Sequence, residues 1–245
     1  MSGAQLGKSE VLLNIIGYHI DSDPSPILCL QPTLEMAQTF SKDRVANGLL
    51  RATTCLKGKV KDPRARDSGN TTLHKLFPGG SLTLVGANSP SGLASRPIRL
   101  VLCDEVDRYP PSAGTEGDPI QLARKRAATF WNRKIVMVST PTNKDANRIE
   151  EAFEQSDQRY YQVPCKHCTT YQKLKWSNVQ WEKGDPDSAK SFVVTVILCG
   201  QIRTEDGQSV MVNGLRMQIL LALLVFVSLD YIRLGHRWQM VYVTF

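Results

Sequence analysis

Apolar residues in the first 155 positions of the chain follow two patterns in turn, helical spacing and short continuous runs. Helical spacing predicts amphipathic helices, and a run of about four to eight apolar residues is typical of a strand buried on both faces. Helices are therefore predicted over residues 8–20, 33–50, 119–130 and 145–155, and strands over residues 26–30, 98–103 and 134–138. Because strands and helices alternate, the pattern predicts an α/β fold, a parallel sheet flanked by helices.

Two stretches interrupt this alternation. Residues 72–77 and 81–85 flank Pro78-Gly79-Gly80, which predicts a β-hairpin around a glycine turn. Residues 57–70 combine basic residues with Pro, Gly, Asp and Asn, and we expect them to form a loop. At the start of the second predicted helix, Thr33 has the hydroxyl that an N-cap requires.

The pattern changes after about residue 190. Fourteen lysines lie in residues 1–190 and none in residues 191–245. The longest apolar run, residues 219–229, has eleven residues, whereas crossing the hydrocarbon of a bilayer takes about 20, so no membrane partner is expected. The tail is interpreted either as a separate small domain or as the product of a shifted reading frame.

Charge and cysteine content suggest a partner and a compartment. The 245 residues include 30 Lys and Arg against 23 Asp and Glu, a formal net charge of +7. This balance suits a polyanion such as DNA, although many basic proteins bind none. Six cysteines are present, of which Cys165 and Cys168 have metal-ligand spacing, and the start does not read as a secretory signal. A disulfide framework is therefore not expected, and the expected compartment is the cytoplasm.

The chain opens with a candidate phosphate-binding loop, Ser2-Gly3-Ala4-Gln5-Leu6-Gly7-Lys8-Ser9. Small residues let backbone N–H groups surround phosphate oxygens at a helix N-terminus. In such a loop Lys8 contacts the β- and γ-phosphates of ATP, and Ser9 ligates Mg²⁺. Ser2 stands where the full pattern has Gly, and only Met1 precedes the loop here, so its usual preceding strand is expected to be missing. An ordinary capped helix start is the alternative.

Polar residues follow two of the predicted strands. Asp104 and Glu105 end the apolar run at 98–103, and the carboxyl end of a parallel strand is where α/β sheets place ligands. Asp104 is predicted to hold Mg²⁺ through water, and Glu105 to orient or activate the attacking water. Thr140, in Ser139-Thr140-Pro141-Thr142 after the next strand, has a hydroxyl suited to sensing the γ-phosphate. A strand ending in an exposed acidic turn is the alternative for the carboxylates.

Two further features are open to more than one interpretation. Arg96, just before the acidic strand, is a candidate phosphate contact or a surface residue. Cys165 and Cys168 have the knuckle spacing of a zinc ribbon, but a structural zinc site needs four ligands. The one cysteine that follows them, Cys199, lies at a wider spacing than a second knuckle would have. Closure of this segment around zinc is therefore left open.

Together these motifs resemble the lambda-type (GpA-like) large terminase subunit of tailed bacteriophages. The resemblance covers about residues 4–190. It rests on AQLGKSE at 4–10, FPGGSLTLVGANSPSGLASRPIR at 77–99, LCDEVDRYP at 102–110, EGDPIQLARKRAATF at 116–130, VSTPT at 138–142 and YYQVPCKHC at 160–168.

The resemblance implies a P-loop motor ATPase that uses ATP and Mg²⁺ to drive double-stranded viral DNA into a procapsid. The implied partners are the small terminase subunit and the portal, and the implied compartment is the cytoplasm of the bacterial host. The implied organisation is an ATPase domain over residues 1–158, a partial zinc-ribbon-like segment over 159–190 and a divergent tail over 191–245.

Three family features are not recognisable in this sequence: the strand before the phosphate loop, the second half of the zinc ribbon, and the nuclease domain that follows the ATPase. The second half of the ribbon is lost near residue 190, where lysine also disappears from the sequence, which favours a shifted reading frame and a prophage remnant. One alternative function is therefore an inactive remnant that acts at most as a basic DNA-binding fragment. A helicase-like ATPase is a third possibility, against which the run of motifs from FPGG to STPT argues.

Overall fold

The computed structural model describes residues 7–65, 69–94, 96–141, 147–160, 162–164, 171–173, 179–182, 185–191 and 241–242. These residues fall into two units. The larger unit comprises the described residues up to Gln158 together with residues 241–242, and the smaller unit comprises those from 159 to 191.

The helices of the larger unit are α1 (Lys8–Asp21), α2 (Leu34–Thr39), α3 (Pro90–Ala94), α4 (Pro119–Ala127) and α5 (Arg148–Glu154). A π-helical segment, Phe40–Arg51, continues α2, and short 3₁₀ turns occupy Thr54–Leu56 and Val106–Arg108. The strands in chain order are β1 (Pro26–Gln31), β2 (His74–Phe77), β3 (Gly80–Gly86), β4 (Leu100–Asp104), β5 (Lys134–Val138), β6 (Gln162–Pro164), β7 (Tyr171–Lys173), β8 (Val179–Glu182), β9 (Asp185–Ser191) and β10 (Val241–Tyr242).

A sheet with the strand order β10-β5-β4-β1-β3-β2 forms the centre of the larger unit. Its neighbours pair in parallel except β2, which pairs antiparallel with β3 as the hairpin predicts. The edge strand β10 comes from the tail and pairs with β5 through Val241–Val136 and Tyr242–Met137. The predicted α/β fold, a mainly parallel sheet flanked by helices, is therefore confirmed.

The core lies on both faces of the central strands, because β1 and β4 are buried along almost their whole length. One face packs against α3 and α4, with the buried side chains Leu28, Leu30, Val101, Cys103, Leu93, Ile120 and Ala123 in one cluster. Ile27 and Cys29 alternate with these residues along β1 and so face the other side. Burial of both faces explains the continuous apolar runs in the sequence.

Most predicted elements match the structure to within two or three residues. Thr33 caps α2 as predicted, since its Oγ1 accepts a hydrogen bond from the Met36 N–H at 3.2 Å. Features that were not predicted include the π-helical form of Phe40–Arg51, the short helix α3 and the edge strand β10. The last predicted helix begins at Arg148 within the described residues.

The smaller unit contains two antiparallel pairs, β6 with β7 and β8 with β9. Cys165 and Cys168 fall between β6 and β7 in the sequence, but they lie outside the described residues, as does Cys199. Among the residues that the structure does describe, no group of three or more His, Cys, Asp or Glu side chains is arranged to hold a metal ion. The zinc site stays a prediction.

Candidate nucleotide site

The candidate site lies at the carboxyl edge of three neighbouring strands. Gln31 ends β1, Asp104 ends β4, and Thr140 follows the end of β5 by two residues. Because β1 pairs with β4 and β4 with β5 in parallel, these three positions meet at one edge of the sheet. This is the edge at which open α/β sheets bind ligands.

Helix α1 brings Lys8 to this edge. Gly7 precedes the helix with φ of 82°, a left-handed conformation that glycine adopts without steric cost, and its carbonyl accepts from the N–H groups of Glu10 and Val11. Lys8 is buried, and its ammonium donates to Thr140 Oγ1 at 2.7 Å and lies 3.9 Å from Glu105 Oε1. A buried lysine requires such oxygen partners.

Asp104 is the buried carboxylate of the site, with 4% of its surface exposed. Its Oδ2 accepts from Gln31 Nε2 at 3.1 Å and from Ser9 Oγ at 3.4 Å. Its Oδ1 is buried and has no hydrogen-bond partner among the described residues. Burial raises the pKa of Asp104 above its usual value, and the neighbouring charge of Glu105 raises it further. The electrostatic surroundings therefore disfavour the ionised carboxylate unless a cation joins it.

These residues fit a magnesium ion. Mg²⁺ prefers oxygen ligands and is usually bound through one or two carboxylates plus substrate phosphates. Asp104 provides the carboxylate, with one oxygen held and the other unsatisfied. The hydroxyl of Ser9 lies beside it. A buried, unpartnered carboxylate oxygen is the feature that a bound cation would satisfy.

Glu105 adopts a left-handed backbone conformation, with φ of 52° and ψ of 53°, which is uncommon for residues other than glycine. The turn that follows it is fixed by several hydrogen bonds. The Arg108 N–H donates to the Glu105 carbonyl, and the Asp107 N–H donates to Ser139 Oγ at 3.2 Å. The Asp107 carboxylate accepts from the Ile149 N–H of α5 at 3.1 Å. The turn thus connects the ends of β4 and β5 to α5.

Five of the predicted site residues therefore lie in one cluster, namely Lys8, Ser9, Asp104, Glu105 and Thr140. Gly7 starts the helix that carries two of them. Ser2, Gly3, Ala4 and Gln5 lie outside the described residues. The guanidinium of Arg96 lies against the His74 ring, at 3.2 Å from Nε2.

The sequence interpretation missed three residues that shape this edge. Gln31 binds Asp104 directly, and Asp107 fixes the turn after Glu105. Tyr109 donates its buried hydroxyl to the Leu30 carbonyl at 2.9 Å, which ties the same turn to β1. Gln31 offered a signal, because it is a polar residue that ends an apolar run, as Asp104 is.

Residues 1–214 match the family described as the phage terminase large subunit gpA, ATPase domain. The chain belongs to this family. Similar curated proteins are the large terminase subunits of Enterobacteria phage P21, 28% identical over 196 residues, and of Escherichia phage lambda, 23% identical over 195 residues. Each match covers 77% of this chain and 30% of the relative, so the chain corresponds to less than a third of those terminase subunits.

Among solved structures, the large terminase ATPase domain of Thermus phage P74-26 aligns with a TM-score of 0.47 and 18% sequence identity. The alignment covers 70% of this chain and 69% of that one. None of the helices in the described part of this chain has both the length and the apolar composition needed to span a bilayer.

Proposed function

We propose that this chain is the ATPase part of a phage DNA-packaging motor and that it hydrolyses ATP with Mg²⁺ at the carboxyl edge of its sheet. The observation that carries the proposal is the convergence of Lys8, Thr140, Glu105 and Asp104 on one edge. Membership of the terminase ATPase family supports the same interpretation.

The first proposed step is phosphate binding at the N-terminus of α1. The N-terminal N–H groups and the dipole of a helix favour negative charge, and Gly7 with Ser2, Gly3, Ala4 and Gln5 would supply further backbone donors. Lys8 would contact the β- and γ-phosphates. Since the Lys8 ammonium donates to Thr140, a bound phosphate would compete with the Thr140 hydroxyl for this hydrogen bond. Thr140 would in this way sense whether a γ-phosphate is present.

The second step is transfer of the γ-phosphoryl group to water. Ser9 and Asp104 would hold Mg²⁺, and the ion would supply positive charge to offset the negative charge of the phosphate oxygens. Glu105 would orient a water molecule and accept its proton, as a general base does. Its carboxylate lies 3.9 Å from both the Lys8 ammonium and Arg108 Nε.

The proposed load is double-stranded viral DNA, which the net charge of +7 suits. The small terminase subunit and the portal of the procapsid are the proposed partners, and the host cytoplasm is the proposed compartment. Residues 1–158 are the proposed ATPase domain. Residues 159–190 are proposed as a zinc-ribbon-like segment, and the tail at 191–245 as a divergent region.

Separate measurements of ATP binding and phosphate release test the nucleotide assignment. Lys8→Ala removes a phosphate contact, so ATP affinity should fall. Glu105→Gln removes only the group that activates water, so binding should persist while phosphate release is lost. Lys42→Ala, which removes an exposed positive charge from the π-helical segment, is the matched control and should change neither. Equal loss of binding in the Lys8 and Glu105 variants would refute these roles.

A further inference from the structure

A second concave site lies beside the β2–β3 hairpin, away from the nucleotide edge. It is a cavity of about 190 Å³, which exceeds the space that a single water needs. Apolar and basic side chains line it, among them Leu28, Leu93, Ile98, His74, Arg96 and Arg126.

The cavity is distinct from the candidate nucleotide site. Leu28 and Thr83, which both line it, are register partners in the middle of β1 and β3. They precede the carboxyl ends of these strands, Gln31 and Gly86, by three residues, or about 10 Å at the rise of a strand. The cavity therefore lies away from the sheet edge that carries Asp104, and one small ligand would not occupy both sites.

The hydrogen bonds of His74 fix its tautomer. A guanidinium only donates, so His74 Nε2 must accept the hydrogen bond from Arg96 Nη1 at 3.2 Å. The ring proton is then on Nδ1, which donates to Thr83 Oγ1 at 3.0 Å. Burial lowers the pKa of His74, and the charges of Arg96 and Lys75 lower it further. A neutral His74 holds the Arg96 guanidinium at the cavity.

Arg126 supplies the second positive charge. Its Nε donates to the Leu93 carbonyl at 2.9 Å, which orients the guanidinium and leaves its two terminal nitrogens for other partners. Neither Arg126 nor Arg96 forms an ion pair with a carboxylate among the described residues. Two oriented guanidinium groups thus line one cavity without a counter-ion from the described part of the chain.

We propose that this cavity binds a phosphate-class oxyanion between Arg96 and Arg126. A tetrahedral oxyanion offers several acceptor oxygens, and the planar guanidinium fork matches them in pairs. The ligand is either free inorganic phosphate or a phosphate of a nucleic-acid backbone. The site does not depend on the proposed ATPase activity.

Ring signals of the histidines, recorded by ¹⁵N NMR on the full chain during titration with inorganic phosphate at constant ionic strength, test the proposal. The titration uses the Lys8→Ala background, which removes the phosphate contact proposed for the nucleotide edge. His74 signals, assigned by His74→Gln, should shift saturably, while those of the buried His19 should not. Arg126→Gln should weaken this response about tenfold or more, the loss expected for a charge-assisted contact.

Two further variants keep the test decisive. Lys125→Gln removes the same charge from an exposed neighbouring position on α4 and should leave the phosphate response unchanged. Arg96→Gln changes an exposed side chain, so it should fold even if Arg126→Gln does not, and it should weaken the response. Unmoved His74 signals, or equal effects of Lys125→Gln and Arg96→Gln, would overturn the proposal.

A parallel titration with a short DNA duplex distinguishes the two sources of phosphate. If the duplex shifts the same His74 signals and inorganic phosphate competes with it, the bound group is a backbone phosphate. If inorganic phosphate alone shifts them, the ligand is the free ion. No response to either would refute the site.

Discussion

Gln31→Met tests whether the hydrogen bond from Gln31 to the Asp104 carboxylate increases the affinity of the site for a cation. Gln31 is buried, and its amide donates to Asp104 Oδ2 at 3.1 Å, whereas the other donor, Ser9 Oγ, lies at 3.4 Å. Methionine keeps the length of the side chain and removes the stronger of the two hydrogen bonds. A hydrogen bond to a charged group contributes about 1.5–3 kcal/mol, which corresponds to about 10–150-fold in affinity.

The Mg²⁺ concentration that supports half-maximal ATP binding should rise by about tenfold or more. This value is the lower end of the range of affinity changes given above. The Gln31 hydrogen bond lowers the pKa of Asp104, against the effect of burial. Without it the pKa of Asp104 rises further, and protons compete better with Mg²⁺. The defect should therefore be larger at pH 6 than at pH 8.

Titration of a fluorescent ATP analogue with Mg²⁺ at both pH values provides the assay. Gln38→Met, which makes the same change at an exposed position of α2, is the matched control. An unchanged Mg²⁺ requirement, or a defect of the same size at both pH values, would show that Gln31 does not position Asp104.

Two stability predictions concern other buried polar groups. Burial lowers the pKa of His19 to about 4 from about 6.5 in the unfolded chain, so the unfolded state binds more protons between these two pH values. The free energy of unfolding should therefore fall by up to about 3 kcal/mol as the pH drops through that window. In urea denaturation recorded from pH 4.5 to 7.5, His19→Asn should reduce this dependence of the free energy of unfolding on pH. Tyr109→Phe removes the hydroxyl that satisfies the Leu30 carbonyl and should cost about 1–3 kcal/mol in the same assay, with no dependence on pH.

Among the candidate site residues, those that the sequence indicated most directly follow the ends of predicted strands. Asp104 and Thr140 follow apolar runs that form β4 and β5, and parallel strands present their carboxyl ends at one edge. Gln31 satisfies the same rule, but its role requires knowing that β1 lies beside β4. The hairpin β2–β3 separates these two strands in the chain, so this pairing is not a contact between sequence neighbours.

Two features of the backbone conformation could not be predicted from the sequence, for a different reason. The amphipathic pattern of residues 33–50 predicted a helix, but it does not distinguish the α-helical spacing from the wider π-helical form that Phe40–Arg51 adopts. The left-handed conformation of Glu105 has no signal either, since this region usually favours Gly, Asn or Asp. Surrounding hydrogen bonds, rather than local preference, decide such positions.

The left-handed conformation of Glu105 leads to a prediction that distinguishes backbone strain at this residue from the role of its carboxylate in hydrolysis. A residue other than glycine in the left-handed region costs on the order of 1–3 kcal/mol, and here the turn is held by Ser139 and by the N–H of Ile149 through Asp107. Glu105→Gln and Glu105→Gly both remove the carboxylate, so both should abolish ATP hydrolysis. Only the glycine variant also relieves the strain.

Glycine costs about 0.5–1 kcal/mol of backbone entropy, so the net gain of Glu105→Gly over Glu105→Gln should be on the order of 1 kcal/mol. For a chain of this size, that difference raises the melting temperature by about 2–4 °C. Glu35 provides the control, because it lies in the first turn of the right-handed helix α2, where glycine is less stable than glutamine by under about 1 kcal/mol. The Gly–Gln difference should thus have opposite signs at the two positions. The same sign at both would mean that Glu105 is not strained, and that its conformation is simply the preferred geometry of the turn after β4.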